Sequence, residues 1–538
     1  MRTIAVLTAA FLLTSSQAQA QLAGCWAHWQ STGAPFTDLE HSQQLLDTAA
    51  LPSVGAMRYG WHLLNRCAAI DTMTDAGRAR FEASLLPMTI VTQGNGEYPR
   101  SQQDGLRWAG RGISAVLQAG AAARWGPITA ALVPVISFQQ NDAFATLQVQ
   151  VPGLSPYGNF FHVGMIDRPQ RFGGSQSWWV HPGQSFIRID AYGAVAGVST
   201  ENLRWGPARR NPIVMSAAAP GFPHVFAGTS KPLNLRIVDI GVEAVWGRLA
   251  ESEYFDSLAN NDDRLFAGVV ATISPRNSGL ILGIARAYLR TIPVGGLSLG
   301  EQIFGPYTGI RVNPQDETGG DNQLASVFLS WASSGLEVYG EYAREDHWED
   351  NHDLLMQLDH SRGYTVGLEK VFALRGGEHM LRVIAEATNL ANAPTWQSRR
   401  PGGTFYIHNQ VRQGYTHKGQ LLGAPIGPGS DAQYVGADYA ASKVLGGLYY
   451  ERVRYDNDTY YRYFAVERTN RGHDTEWTLG LRGGGVMSDF QIVGDLALST
   501  RYNRDFVGFV NSGVFTKARN FSFTLGAAWV PPALRIDL

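Results

Sequence analysis

Cysteine is almost absent from this sequence, which has only Cys25 and Cys67 among 538 residues. Two thiols are too few to build a metal site on their own, and in an oxidising compartment they are expected to pair as one disulfide. No uncharged apolar run reaches the roughly 20 residues that a membrane-spanning helix needs. The formal net charge is −2, so the sequence also lacks the basic character of a protein that binds nucleic acid.

The first residues have the pattern of an export signal. Arg2 supplies a positive charge, residues 4–13 are apolar, and Ala18-Gln19-Ala20 is a cleavage site of small residues. Residues 22–25 (LAGC) also resemble a lipoprotein signal in which Cys25 is acylated. Because a polar stretch separates this second pattern from the apolar run, we predict a signal peptide of residues 1–20. Cleavage there leaves Cys25 free to form the disulfide.

From about residue 106 to the C terminus, apolar and polar residues alternate as they do in half-buried β-strands. Residues 521–529 (FSFTLGAAW) show this period, as do residues 238–246 and 364–369. The apolar sets often end in Trp or Tyr, as the aromatic girdles of membrane barrels do. Closure into a barrel is the other way, besides the helix, to satisfy backbone hydrogen bonds in lipid. We therefore predict that residues 106–538 form an all-β transmembrane barrel.

Charged residues on these strands are predicted to point into the barrel. An Arg or Lys that faces lipid at mid-bilayer costs about 2–4 kcal/mol, and buried charges need partners. The residues placed inside on this argument are Arg188, Asp190, Asp239, Glu243, Glu337, Arg382 and Glu386.

Residues 21–105 differ from the rest, because their signals are helical. Thr37-Asp38-Leu39-Glu40 is a capping box that predicts a helix through Ala50. A second helix is predicted to begin at Thr74 or Asp75 and to end before Pro87. We predict a small periplasmic helical unit, which either docks a partner or caps the barrel mouth.

Three long segments break the strand pattern. Residues 159–174 and 202–231 are rich in Gly, Pro and aromatic residues, and connections of this length usually have a function or fill a lumen. Residues 406–430 (YIHNQVRQGYTHKGQLLGAPIGPGS) contain five glycines between positions 414 and 429. Such a segment is predicted to be an irregular backbone that presents polar and aromatic groups to a ligand. With residues 204–205, it gives the candidate binding residues Arg204, Trp205, Arg412, Tyr415, His417, Lys418 and Gln420.

Enzyme motifs do not stand out in this sequence. It has no nucleophile elbow, zinc motif or phosphate-binding glycine loop, and no pair of carboxylates is singled out as a glycosidase pair. The acidic residues 345–353 (EDHWEDNHD) fit either a cation-binding loop or a solvated loop, and their spacing matches no known cation loop. We predict a protein without catalytic activity, cofactor or metal.

Four motifs resemble those of a known family. They are RWGP (204–207), NPIVMSAAAPGFPHV (211–225), EVYGEYAREDHW (337–348) and QVRQGYTHKGQLLGAPIGPGS (410–430). Together they resemble the capsule assembly proteins of the Wzi family, and the likeness extends from about residue 36 to the C terminus. The C terminus departs from the usual pattern of barrel proteins, because residues 531–538 (PPALRIDL) contain two prolines and end without an aromatic residue.

The resemblance implies an outer-membrane barrel of about eighteen antiparallel strands, with a plugged lumen and a periplasmic helical bundle. It implies a lectin-like protein, surrounded by lipid, that holds capsular polysaccharide at the cell surface without catalysis. Capsule export machinery is then a possible partner of the periplasmic unit. The alternative is a porin-like channel for sugars or other small solutes.

Overall fold

A computed structural model describes residues 45, 55–59, 64, 81–258, 262–293, 295–308, 321–345, 359, 361–393, 403–441, 443–465, 471–507, 516–530 and 536–537. The predicted signal peptide, both cysteines, most of the first predicted helix and residues 346–353 lie outside these ranges. Within the described residues, no helix is long and apolar enough to cross a membrane.

Strands dominate the described residues, as the period of two predicts. The strands are β1 (Ala56–Arg58), β2 (Phe81–Asn95), β3 (Gly112–Trp125), β4 (Ile128–Leu132), β5 (Val135–Gln139), β6 (Ser177–His181), β7 (Phe186–Ala191), β8 (Ala194–Ser199), β9 (Leu203–Trp205), β10 (His224–Thr229), β11 (Leu233–Asn234), β12 (Val238–Ala250), β13 (Asp263–Pro275), β14 (Leu280–Thr291), β15 (Asp321–Ser333), β16 (Leu336–Glu345), β17 (Arg362–Leu374), β18 (His379–Asn389), β19 (Thr416–His417), β20 (Gln420–Leu421), β21 (Asp431–Ala440), β22 (Val444–Arg454), β23 (Thr475–Met487), β24 (Phe490–Tyr502), β25 (Lys517–Trp529) and β26 (Ile536–Asp537). The helices are α1 (Leu299–Thr308) and α2 (Asn457–Thr459), with 3-10 turns at Arg375–Gly377 and Arg504–Phe506 and a π-helical turn at Tyr460–Ala465.

All of these strands except β1, β9, β19 and β20 close into one antiparallel barrel, and those four form two separate two-stranded sheets. β25 pairs with β2 from Met88↔Trp529 to Asn95↔Ser522, which joins the last long strand to the first. β4 and β5 form one interrupted strand of the wall, as do β6 and β7, β10 and β11, and β25 and β26, so the described residues give an eighteen-stranded barrel. The C-terminal strand β26 adds a short pairing at the start of β2. The predicted barrel class is confirmed.

The two ends of the barrel differ in the length of their connections. Tight turns such as Tyr192–Gly193 close one end, whereas loops such as 140–176 and 390–430 lie at the other. Outer-membrane barrels keep short turns on the periplasmic side and long loops outside. We refer to the two ends as the short-turn end and the long-loop end.

The helix predicted to end before Pro87 is wrong over its described part, where the chain forms β2 and pairs with β3 and β25. Phe81 and Leu85 are one helical turn apart, but positions i and i+4 also lie on the same face of a strand. This spacing therefore did not distinguish the two structures. The register between β2 and β3 shifts between Leu86 and Thr89, next to Pro87, which has no N–H to donate. The barrel includes residues 81–105, which the sequence had assigned to the helical unit.

The two faces of the wall have the predicted character. Large apolar side chains on the outward face are exposed, as on a lipid-facing surface; they include Val338, Val366, Leu368, Phe521 and Leu525. Most of the charges predicted to lie inside are buried and paired. Glu337 accepts from Arg209 at 2.6 Å, and Arg382 donates to Glu369 at 2.9 Å.

The remaining predicted interior charges also find partners. Arg188 pairs with Asp190, and Glu243 accepts from Arg58 at 2.7 Å. Asp239 pairs with Arg276 at 3.2 Å and is only partly buried. Glu386 contacts the segment that fills the lumen, and this contact is developed below.

Two segments fill the barrel, and we call residues 200–223 and 403–430 together the plug. The Tyr406 hydroxyl donates to the Ile213 carbonyl at 2.7 Å, and the Ser216 N–H donates to the Leu422 carbonyl at 2.7 Å. These bonds satisfy backbone groups that burial would otherwise leave without partners. The predicted plugged lumen is thus confirmed for the described residues.

Part of the N-terminal unit also lies inside the barrel. β1 pairs with β9 of the plug, and the Arg58 guanidinium donates to Glu243 at 2.7 Å and to Glu201 at 3.3 Å. The Leu45 carbonyl accepts from the Gly335 N–H in a turn at the short-turn end. For these residues, the contacts favour a cap on the barrel over a separate docking module.

Candidate functional site

The glycine-rich stretch predicted to form the binding surface is mostly interior. Tyr415 is fully buried, stacks on Tyr406 with ring centroids 5.6 Å apart, and donates its hydroxyl to the Val214 carbonyl at 2.8 Å. Trp205 is fully buried, and the buried His417 accepts the Ala250 N–H at its Nδ1. A side chain without accessible surface cannot stack on a polymer. The structure therefore corrects the prediction of direct contact for these three predicted residues and gives them plug-fixing contacts.

The glycines of this stretch serve the packing of the plug. Gly414 and Gly419 have φ of 63° and 78°, a region that favours glycine. At Gly423 the reason is close approach instead, because a Cβ would lie 2.2 Å from the Ile213 carbonyl oxygen.

The other four predicted residues have different surroundings. Arg204 is buried on β9, and Lys418 has an exposed side chain. Arg412 is partly exposed and donates its Nε to the Gly164 carbonyl at 3.1 Å. Gln420 donates to the Gly105 carbonyl at 3.0 Å and also lines the cavity described next.

A cavity of about 300 Å³ lies at the long-loop end, between the plug and the surrounding loops. We call it the mouth cavity. Its aromatic lining includes Trp108, Phe144, Phe161, Phe172, Tyr455 and Phe506. Its cationic lining consists of Arg100, Arg168, Arg209, Arg210, Arg501 and Arg504, and Gln102, Asn159, Gln170 and Gln420 add side-chain amides.

Carboxylates hold several of these arginines in fixed positions. Arg501 makes a two-bonded pair with Asp474 at 2.7 and 2.6 Å, and its guanidinium lies 4.2 Å from the centre of the Tyr455 ring. Glu451 accepts from Arg210 at 3.0 Å and from Arg100 at 3.2 Å. Such paired charges build a rigid wall.

Arg168 differs from its neighbours. Its Nη2 lies 3.4 Å from the Pro425 carbonyl oxygen, and no carboxylate of the described residues is within ion-pair distance. Burial lowers the pKa of Arg168, while Tyr455 and Asp456 nearby oppose this shift and Arg501 adds to it. Gly427, with φ of 92°, makes room for this side chain, because a Cβ there would lie 2.0 Å from Nη1 of Arg168. The guanidinium is thus positioned at the cavity without an ion pair among the described residues.

Aromatic rings contact one another in pairs along the cavity wall. Phe161 contacts Phe506 edge-to-face, with centroids 5.3 Å apart. Trp108 and Phe172 are 5.0 Å apart on the other part of the lining. Ring faces, guanidinium groups and amides together can bind the apolar faces and hydroxyl or acidic groups of a sugar. Across the described ranges, no group of three or more His, Cys, Asp or Glu side chains could hold a metal ion.

Of the candidate binding residues named from the sequence, only Gln420 lines the mouth cavity, although the three segments flagged above supply about half of its lining. The segment 159–174 was flagged for its length and aromatic content, and it supplies Phe161, Arg168 and Phe172. Segments 99–108, 451–456 and 501–506 gave no signal of their own. They are distant in the sequence, so only strand pairing brings them together.

The family model for the capsule assembly protein Wzi matches residues 110–502. This chain belongs to the Wzi capsule assembly family. The resemblance seen in the four sequence motifs is thereby confirmed. Among curated proteins, none matches this sequence.

Solved structures agree with the fold. The chain is similar to Wzi of Escherichia coli, which is an outer-membrane protein involved in group 1 capsule assembly and a carbohydrate-binding β-barrel. The two chains are 12% identical, the match covers 82% of this chain and 83% of that chain, and the TM-score is 0.53. It also matches OccK8 (OprE) of Pseudomonas aeruginosa, with 9% identity, coverage of 85% and 98%, and a TM-score of 0.39. OprD of Pseudomonas aeruginosa matches with 8% identity, coverage of 86% and 97%, and a TM-score of 0.38. The last two matches are too weak to bear on function.

Proposed function

We propose that this protein lies in the outer membrane, binds a capsular or other surface polysaccharide at the mouth cavity, and retains it at the cell surface without catalysis. The observation that carries the proposal is the lining of the mouth cavity by aromatic rings, arginines and amides above a filled lumen. Membership of the capsule assembly family supports the same conclusion.

The lining matches the chemistry of a sugar polymer. Aromatic rings such as Phe161 offer apolar faces to sugar rings, while Gln420 offers a side-chain amide to hydroxyl groups. Arg168 adds a guanidinium that forms strong, charge-assisted bonds with acidic substituents. Because the polymer repeats, modest contacts at one unit are strengthened by contacts at neighbouring units.

The plug favours retention over transport. Hydrogen bonds join residues 213–216 to residues 406–422 inside the lumen, and Glu386 fixes residues 209–211 to the wall. A porin-like channel needs an open path, so purified protein in planar bilayers is expected to show little steady conductance. Large, stable current steps from the wild type would favour the channel.

The predicted residues take two roles in this proposal. Gln420 contacts the polymer directly, while Trp205, Tyr415 and His417 act by fixing the plug beneath the cavity. Contact between capsule export machinery and the N-terminal unit stays a prediction, because most of residues 21–80 lie outside the described ranges.

The test compares Arg168→Ala and Phe161→Ala with Arg276→Ala, a matched arginine change near the short-turn end. Losing a charged contact costs about 1.5–3 kcal/mol, so Arg168→Ala should weaken binding of polysaccharide from the producing cells roughly 10- to 100-fold. Arg276→Ala should bind normally, and all variants should keep heat-modifiable gel migration. Wild-type binding by both cavity variants, with polymer retained on cells, would refute the mouth cavity as the site.

A further inference from the structure

The strands of the barrel wall differ in length around its circumference. β8 and β10 contain six residues each, whereas the neighbouring β12 contains thirteen. β10 follows β12 only as far as Gly247, so the last residues of β12 pair with β13 alone. On the other side of β8, the strand β6 pairs with β5 and with no second strand among those described. A recess therefore opens in the wall toward the long-loop end.

The plug closes the inner side of this recess. The Arg248 N–H donates to the Pro223 carbonyl at 3.0 Å, and Gln184 donates to Asn202 at 2.8 Å. The first bond satisfies a backbone N–H of β12 beyond its pairing with β10, and the second joins the side chain of the segment between β6 and β7 to the plug. The recess is consequently accessible from outside the barrel.

The recess is large and mostly apolar. It has a volume of about 1710 Å³ and is lined by alanines of β3 and β4 and by larger side chains around them. Ile187, Val198 and Val225 line it and are each about half exposed, at 54%, 51% and 48%. Because the alanine side chains are short, they leave a depression between these larger residues, and this depression is a groove in the outward face.

Helix α1 forms the opposite side of the groove. A capping box fixes its start, because the Ser298 N–H donates to Glu301 at 2.9 Å and the Glu301 N–H donates to the Ser298 hydroxyl at 3.3 Å. Leu299 and Ile303 are one turn apart, and both line the groove. The helix thus turns an apolar face to the wall although it lies in a surface loop.

We propose that this groove binds an acyl chain of an outer-leaflet lipid. The groove is continuous with the apolar outward face of the barrel, so in a bilayer it meets hydrocarbon and not solvent. Arg248 and Asp263 form an ion pair at its rim, with Nε–Oδ1 of 2.7 Å, and this polar pair marks the edge of the groove where a lipid headgroup would lie. This inference rests on the proposed outer-membrane location.

The test is native mass spectrometry of the full protein extracted from membranes and exchanged into mild detergent. Wild type should carry one bound lipid. Val225→Trp fills the groove and should reduce lipid retention at least tenfold, whereas Val327→Trp, an outward valine on β15, should not change it. Ala130→Leu, a smaller change in the groove, serves as a second variant if Val225→Trp does not fold.

The outcomes separate this inference from the proposed function. Absence of the protein from the membrane fraction would refute both. Normal membrane insertion without a retained lipid, or retention that Val225→Trp and Ala130→Leu leave unchanged, would overturn the lipid site alone. Loss of a dimer in Val225→Trp, in place of a lipid, would show that a second copy of the chain covers the groove. Reconstitution with phosphatidylethanolamine–phosphatidylglycerol vesicles, with and without lipopolysaccharide, identifies the lipid source.

Discussion

A single wall carboxylate holds one turn of the plug, and removing it should loosen the plug. Glu386 on β18 is buried and accepts the backbone N–H groups of Arg209, Arg210 and Asn211 at 2.6, 3.0 and 2.9 Å. It also accepts the Tyr339 hydroxyl at 2.8 Å. Three consecutive N–H groups thus share one acceptor, as an anion-binding turn does.

The magnitude follows from the groups that would be left without partners. In Glu386→Ala, three buried N–H groups lose their acceptor at about 1–3 kcal/mol each. Water that enters the space would recover part of this, so we expect a loss of about 3 kcal/mol or more in the free energy that attaches the plug. Glu386→Gln keeps one acceptor oxygen but loses the charge, and its effect should be smaller.

The assay measures the plug and the barrel separately. Planar-bilayer recordings of Glu386→Ala should show intermittent current that wild type lacks, while heat-modifiable migration shows whether the barrel still folds. Glu378→Ala, in the exposed turn before the same strand, is the matched control. A silent Glu386→Ala variant with the wild-type unfolding temperature would refute the view that this carboxylate fastens the plug.

Three further predictions concern single residues. Arg58→Ala removes the guanidinium that the buried Glu201 and the largely buried Glu243 share, and breaking a buried ion pair typically costs about 3–5 kcal/mol; limited proteolysis should then cut the N-terminal segment faster than in wild type. Burial raises the pKa of Glu251 from 4.5 to about 7, so its charge destabilises the fold above pH 7. This destabilisation disappears as the pH falls from 7 toward 4.5. The unfolding temperature of the wild type should therefore rise over that pH window, and that of Glu251→Gln should change less. Gly427→Ala should displace Arg168 and weaken polymer binding about as much as Arg168→Ala, with normal binding counting against the position assigned to that guanidinium.

The residue patterns were sufficient to predict the β-barrel class, because they reflect strands with one face toward lipid and the other toward the lumen. Alternation along residues 521–529 requires one apolar and one polar face, and a barrel satisfies every backbone hydrogen bond in such a setting. The same reasoning placed Glu337, Arg382 and Glu386 inside, since a lipid-facing charge is costly near the middle of the bilayer. These conclusions need no knowledge of which strand neighbours which.

Local spacing did not determine every element. Phe81 and Leu85 are compatible with one face of a helix or of a strand, and only pairing with β3 and β25 makes the segment a strand. The glycine-rich stretch 406–430 was recognised as a fixed irregular backbone. Its sequence did not reveal that Tyr415 is buried, because burial depends on plug residues about two hundred positions away.

Only the tertiary structure assembled the candidate site. The mouth cavity combines Arg100, Arg168, Glu451 and Arg501, which are far apart in the chain and lie in different loops or strand ends. Only Arg168 lies in a segment that its sequence singles out, and each arginine acquires its character from the carboxylates that it meets or lacks. Paired with Asp474, Arg501 is part of the wall, while Arg168 has no ion pair at the cavity. Sequence determined that charges lie inside the barrel, but folding decided which of them remain available to a ligand, since that depends on distances between distant segments.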